Sequence, residues 1–126
     1  MDPSKRVIHA GETSDVGRVV AAAFSARGRV PNGSVLSVCG GTYSWSDFVG
    51  ALRELGHDLE VVRVPVEAYD RLFPGAPEVR EMFQYFEEQT YFGPQGERQI
   101  AAANALVPGG FTTFADWART HMAAAS

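Results

Sequence analysis

His9 closes a short apolar run at residues 7–10, and Glu12 and Asp15 follow it. An imidazole that titrates near neutrality beside two carboxylates is the material of an acid–base pair. The competing reading of His9 is a buried ring bonded to backbone. His57 follows Gly56 beside Asp58 and reads as a solvated turn residue. His121 reads as a cation in a last helical turn, where the helix dipole favours positive charge. No histidine has a cysteine, histidine or carboxylate at a standard ligand spacing, so no metal is expected. Cys39 precedes Gly40-Gly41, but no G-x-nucleophile-x-G elbow surrounds it. The thiol reads as a small buried hydrophobe. The glycine pair lacks both G-x-G-x-x-G and G-x-x-x-x-G-K, and a turn before a capped helix explains it.

The densest chemistry lies in residues 82–92, Met-Phe-Gln-Tyr-Phe-Glu-Glu-Gln-Thr-Tyr-Phe. At helical spacing Val79, Met82, Phe83 and Phe86 form a core stripe. Tyr85, Gln89 and Phe92 form an aromatic but amphipathic stripe beside it. That stripe serves as a rim of the core, a partner surface, or a pocket wall with a few polar handles. Tyr43 and Trp45 add amphipathic aromatics at a helix entry, and Tyr69 and Asp70 lie just past a strand-like stretch. The candidate ligand-binding residues are therefore Tyr43, Trp45, Tyr69, Met82, Tyr85, Phe86, Gln89, Tyr91 and Phe92. The candidate acid–base residues are His9, Asp70, Tyr85 and Glu87. Adjacent helix positions do not share a face, so Tyr85 with Glu87 or Glu88 flank a pocket only in part.

These side chains must be held by elements that the hydrophobic pattern predicts. Residues 7–10 suggest a brief strand. Thr13 or Ser14 caps a helix to about Arg27, with Gly28 in the left-handed position after it. Residues 35–39 and 59–66 have strand character, with β-branched residues and alternating faces, and Pro65 marks an edge or an end. Between them Ser44 and Asp47 make a near-capping box for a helix that Gly56 ends. The second half reads as helical: 67–72, Pro77 to about Tyr91, 97–107, and a last helix from Thr113 to about Met122. The β-α-β order at 35–66 predicts a right-handed crossover. The expected fold class is α/β or α+β, a small, partly parallel sheet of two to three strands with about five helices. Residues 1–6 are expected as a flexible tail, 7–122 as one domain, and 123–126 as a frayed end.

The 126 residues carry 11 Lys+Arg and 15 Asp+Glu, a net charge of −4. No basic cluster offers a nucleic-acid footprint. No apolar run is long enough for a membrane span, and no signal-peptide segment opens the chain. A single cysteine rules out an internal disulfide and fits a reduced cytoplasm. The length suits one domain with its own core, and does not accommodate a dinucleotide-binding domain plus a separate substrate domain.

The order of motifs resembles the C-terminal half of NmrA-like, atypical short-chain dehydrogenase/reductase proteins. Thr13-Ser14-Asp15-Val16-Gly17-Arg18 resembles their Asp-[Ile/Val]-Gly helix start, and residues 33–39 resemble their G-x-x-[Ile/Leu] strand. Ser44-Trp45-Ser46-Asp47-Phe48 resembles their Thr-x-x-Glu helix start, residues 59–69 their V-x-x-V-P stretch, and residues 82–86 their aromatic helix. Thr113-Phe114-Ala115-Asp116-Trp117 resembles their closing T-F-x-x-W helix. The order holds over residues 7–122. In that family an N-terminal Rossmann domain binds NAD(P) and the C-terminal half forms the substrate lobe. This chain has no G-x-x-G-x-x-G and no Tyr-x-x-x-Lys, so no cofactor-binding residue carries over and no cofactor is expected.

The resemblance implies a stand-alone substrate lobe that binds a hydrophobic small molecule. Catalysis there would need only shape and acid–base groups, as in a cofactor-independent cyclase, isomerase or lyase. The alternatives are a non-catalytic partner domain and a fragment of an NAD(P)-dependent reductase. The surface that meets a Rossmann domain in the family would then be covered by self-association or by a separately encoded partner.

Overall fold

The computed structural model describes residues 1–26 and 28–123. Helices dominate it, and three of them start on side-chain caps, at Glu12, Ser44 and Thr113. Helix α1 spans Thr13–Ser25, α2 Trp45–Glu54, α3 Val66–Tyr69, α4 Ala76–Gln89, α5 Gly96–Leu106 and α6 Phe114–His121. A 3-10 turn at Gly93–Gln95 precedes α5. At α2 the Ser44 hydroxyl accepts from the Asp47 N–H (3.1 Å) and the Asp47 carboxylate accepts from the Ser44 N–H (2.8 Å). Two otherwise orphaned donors are thus satisfied by the expected box. Gly56, at φ 92°, ends α2. The amides of Gly56 and His57 return to the carbonyls of Arg53 (3.0 Å) and Leu52 (3.2 Å), a closure that needs a left-handed residue. At α1 the cap is Glu12, whose carboxylate accepts from the Ser14 N–H, so the helix starts at Thr13 itself. Gly28 does not take the expected left-handed conformation, and α1 closes earlier, on Ala26. Arg27 and residues 124–126, at the expected helix end and frayed terminus, lie outside the described residues.

The sheet differs from expectation. It has two strands, β1 at Ile8–Ala10 and β2 at Gly41–Tyr43, and they are antiparallel. Ile8 faces Tyr43, His9 faces Thr42 and Ala10 faces Gly41. Residues 35–39 and 59–66 form neither strands nor a parallel crossover. The reason is physical: alternating β-branched residues fit a pleated surface, but a ladder exists only where a second backbone offers its N–H and C=O groups. Residues 36–38 pack on helices instead. The Ser37 hydroxyl donates to the Gln99 side chain at 3.0 Å, while Leu36 and Val38 join the core of Val19, Ala103 and Val107.

Two layers result. Helix α1 packs on α5 and α2 on α6. A buried carboxylate ties the first layer to the loop before α6. Asp15, 1% exposed, accepts from the Thr112 N–H at 2.8 Å and from Arg18 at 2.9 Å. Arg18 also donates to the carbonyls of Gly110 and Pro108. A carboxylate this deep is tolerated because its oxygens are met by a cation and a backbone donor. The second layer is aromatic. Tyr43, Phe48 and Phe114 meet within ring distances of 4.6–6.1 Å, in the tilted and edge-on geometries that aromatic quadrupoles favour. Among the described residues no helix is long and apolar enough to cross a membrane.

Candidate functional site

Helix α4 presents Arg80, Phe83, Gln84, Glu87 and Glu88 along one face, the i, i+3, i+4, i+7, i+8 spacing of a single stripe. Opposite it run residues 60–64 and Val66, and the start of α2 closes one side with Trp45 and Val49. A cavity of about 780 Å³ lies between them, within the range of ordinary ligand pockets. Trp45 packs edge-on to Phe83 with ring centroids 5.4 Å apart. The floor is therefore apolar, and the polar groups sit on the α4 rim.

Those polar groups are already partnered. Arg80 donates to Asp70 through Nε to Oδ1 at 2.8 Å and Nη2 to Oδ2 at 3.2 Å. The Asp70 carboxylate beside it pushes the Arg80 guanidinium above its ordinary range. Glu87 accepts from the Asp2 N–H at 3.2 Å, and its carbonyl accepts from Lys5 Nζ at 2.9 Å. Trp45 Nε1 donates to the Met1 sulfur at 3.2 Å, and Ser46 N–H donates to the Pro3 carbonyl at 3.0 Å. Residues 1–5 thus run along the cavity between α2 and α4.

The structure distributes the sequence-predicted residues unevenly. Trp45, Tyr69 and Glu87 line the cavity, and Asp70 reaches it through Arg80. The other predicted residues lie elsewhere. The Tyr43 hydroxyl accepts from the Phe114 N–H at 2.9 Å and so anchors the start of α6. Met82 and Tyr85 are exposed on α4 away from the cavity, 42% and 55%, so Tyr85 and Glu87 do not flank one pocket. Phe86 packs between Phe83 and Tyr91. Gln89 ends α4. Thr90, at φ 65°, turns the chain so that Tyr91 and Phe92 reach His9, whose ring meets Phe92 edge-on at 5.1 Å. His9 is not joined to Glu12 or Asp15: both carboxylates are engaged in α1 and the 108–112 loop, and His9 Nδ1 is buried without a partner.

Sequence reasoning missed Arg80, Gln84 and residues 60–64 as a site. The signal for the first two is in the sequence: positions 80, 83, 84, 87 and 88 form a stripe as regular as the two aromatic ones on this helix, but it mixes charge with one ring. Cys39 is buried, and burial pushes its thiol up, against nucleophilic use. A second, shallower hollow beside Tyr43 holds Asp47, whose carboxylate is kept well below the usual range by hydrogen bonds from Arg6 and from the Ser44 amide. Among the described residues no three metal-ligating side chains converge.

The model of the NmrA-like family matches residues 1–118. The chain belongs to the NmrA-like family. No curated protein and no solved structure matches it. The NmrA-like helix starts named above are here given physical roles: Asp15 and Arg18 bind the 108–112 loop, and Ser44 with Asp47 caps α2. The glycine pair of this NmrA-like chain sits at a close approach of backbone and ring. A Cβ at Gly40 would lie 2.1 Å from the Thr112 carbonyl oxygen, and one at Gly41 would meet the Tyr43 ring. Close packing against the loop before α6 and against Tyr43 therefore requires glycine at both positions.

Proposed function

We propose that this NmrA-like chain is a stand-alone small-molecule-binding domain, a substrate lobe that takes a hydrophobic metabolite into the cavity between α4 and residues 60–66. The observation that carries this reading is the composition of the walls. Trp45, Val49, Val61, Val64 and Phe83 form an apolar floor, and a few charged groups on α4 border it. Such a mixture binds by apolar burial and orients by a small number of polar contacts. In this reading a ligand turned over in the cavity is cyclised or isomerised without redox chemistry. Confinement supplies the reactive conformer, Glu87 and Glu88 are the groups available to hold or move a proton, and the Asp70–Arg80 fork is a fixed charge pair beside them.

Fluorescence titration with an apolar reporter dye such as anilinonaphthalene sulfonate tests the site. Trp45→Ala and Phe83→Ala are each expected to weaken binding by on the order of tenfold, the worth of roughly 1.4 kcal/mol of apolar contact. Circular dichroism verifies that both variants fold. Two folded variants that bind the dye as the wild type does would remove the cavity from consideration.

A further inference from the structure

Residues 1–5 tie together the three walls of the cavity. On α2, Trp45 Nε1 donates to the Met1 sulfur and the Ser46 N–H to the Pro3 carbonyl. On α4, Glu87 accepts from the Asp2 N–H through its carboxylate and from Lys5 Nζ through its carbonyl. On the third wall, Arg63 lies 3.7 Å from the Asp2 carboxylate. Met1 and Pro3 line the cavity, yet of residues 1–5 only Pro3 is half-buried and the other four are exposed. The segment therefore stands between the cavity and solvent.

It is built as one piece on a fixed hinge. The Asp2 carboxylate accepts from the Ser4 N–H (2.9 Å) and hydroxyl (2.7 Å), and the Lys5 N–H returns to the Asp2 carbonyl (3.2 Å). Residues 2–5 thus hold a turn of their own. Behind them Arg6 donates twice to Asp47, at 2.8 and 3.1 Å. Buried Val7 donates to the Tyr43 carbonyl at the end of the β1–β2 ladder. The side-chain ties toward the cavity are exposed to solvent, where each is worth little net. Segments held this way open locally while the rest stays folded. Ser46 reports the closed position. It lies in the first turn of α2, where an N–H has no partner inside the helix, and Pro3 supplies the acceptor.

We propose that residues 1–5 are a gate over the cavity: the turn lifts about Arg6 to admit a ligand and closes behind it. The gate rests on the ligand-binding reading of the cavity.

Stopped-flow mixing with Nile red, a neutral apolar dye, tests it. Removing residues 2–5 takes out Asp2 and Lys5 together and leaves the net charge of the chain as it is. The association rate constant is expected to rise on the order of tenfold, as when an open state populated about one part in ten limits entry. Asp2→Ala with Lys5→Ala keeps Met1 and Pro3 in the wall but cuts the ties to Arg63 and to the Glu87 carbonyl, and is expected to raise the rate by less. In hydrogen exchange the Ser46 amide is expected to be protected in the wild type and to exchange freely without residues 2–5. A folded shortened chain that takes up the dye at the wild-type rate or more slowly overturns the gate, as does a Ser46 amide that exchanges alike in both. Dye bound by neither chain, or bound indifferently to Trp45→Ala, instead removes the cavity as a ligand site, and the gate with it.

Discussion

Arg80 grips Asp70 with two parallel hydrogen bonds, and this fork joins the middle of α4 to the end of α3 at the edge of the cavity. Both side chains are about a third exposed, 30% and 27%, so solvent screens the pair and its main effect is positional. A guanidinium fixed in this way presents its remaining donors in one direction.

Removing the carboxylate should change the charge of the cavity more than its shape. Asp70→Ala leaves Arg80 unpaired beside the apolar floor. Binding of an anionic apolar dye is expected to strengthen, and binding of a neutral one to stay as in the wild type. Parallel titrations with the two dyes check this. An equal change for both would trace the effect to cavity shape.

The buried carboxylate of Asp15 meets an amide 97 residues away in sequence. Asp15→Ala strands the Thr112 N–H and frees Arg18, and is expected to cost about 1–3 kcal/mol of stability. Asp15→Asn retains an acceptor oxygen and should cost less. Urea unfolding of the three proteins measures the difference. A midpoint unchanged in Asp15→Ala would show that the loop at 108–112 does not depend on this tie.

Acid should loosen the start of α2. Hydrogen bonds from Arg6, then from Ser44, hold the folded Asp47 carboxyl below its ordinary value. A depressed folded pKa means that the ionised form is favoured by folding. Its contribution is present above the unfolded carboxylate pKa of about 3.9 and is lost as pH falls toward the folded value. Asp47→Asn is expected to flatten that part of the stability profile below about pH 4. Ser44→Ala removes the other half of the box and should cost about 1 kcal/mol at neutral pH. Thermal unfolding as a function of pH separates the two, and an Asp47→Asn profile parallel to the wild type would refute the assignment.

Two glycines should respond oppositely to the same substitution. Gly40→Ala drives a methyl group into the Thr112 carbonyl and is expected to destabilise by about 1–3 kcal/mol. Gly17 lies inside α1 with open space around it, so Gly17→Ala is expected to stabilise by roughly 0.5–1 kcal/mol. Denaturant midpoints for both variants decide it. A Gly17→Ala protein less stable than the wild type would mean that this face of α1 is not free.

What could be read from the chain is what depends on near neighbours. Ser44 with Asp47, Thr113 with Asp116, Pro77 in the first turn of α4 and Gly56 after α2 all act within a few residues, and each helix formed where those residues stand. The NmrA-like membership spans the same stretch, residues 1–118. The strands failed for the opposite reason. Residues 35–39 and 59–66 have the right side chains, but a ladder is made by the partner backbone, and the pairing that occurs, Ile8 with Tyr43, joins segments 35 residues apart. The site divides in the same way. Periodicity established that α4 has distinct faces. Which face borders the cavity depended on where residues 60–66 and Trp45 came to rest against it, and that rests on packing between distant segments, which no local pattern encodes.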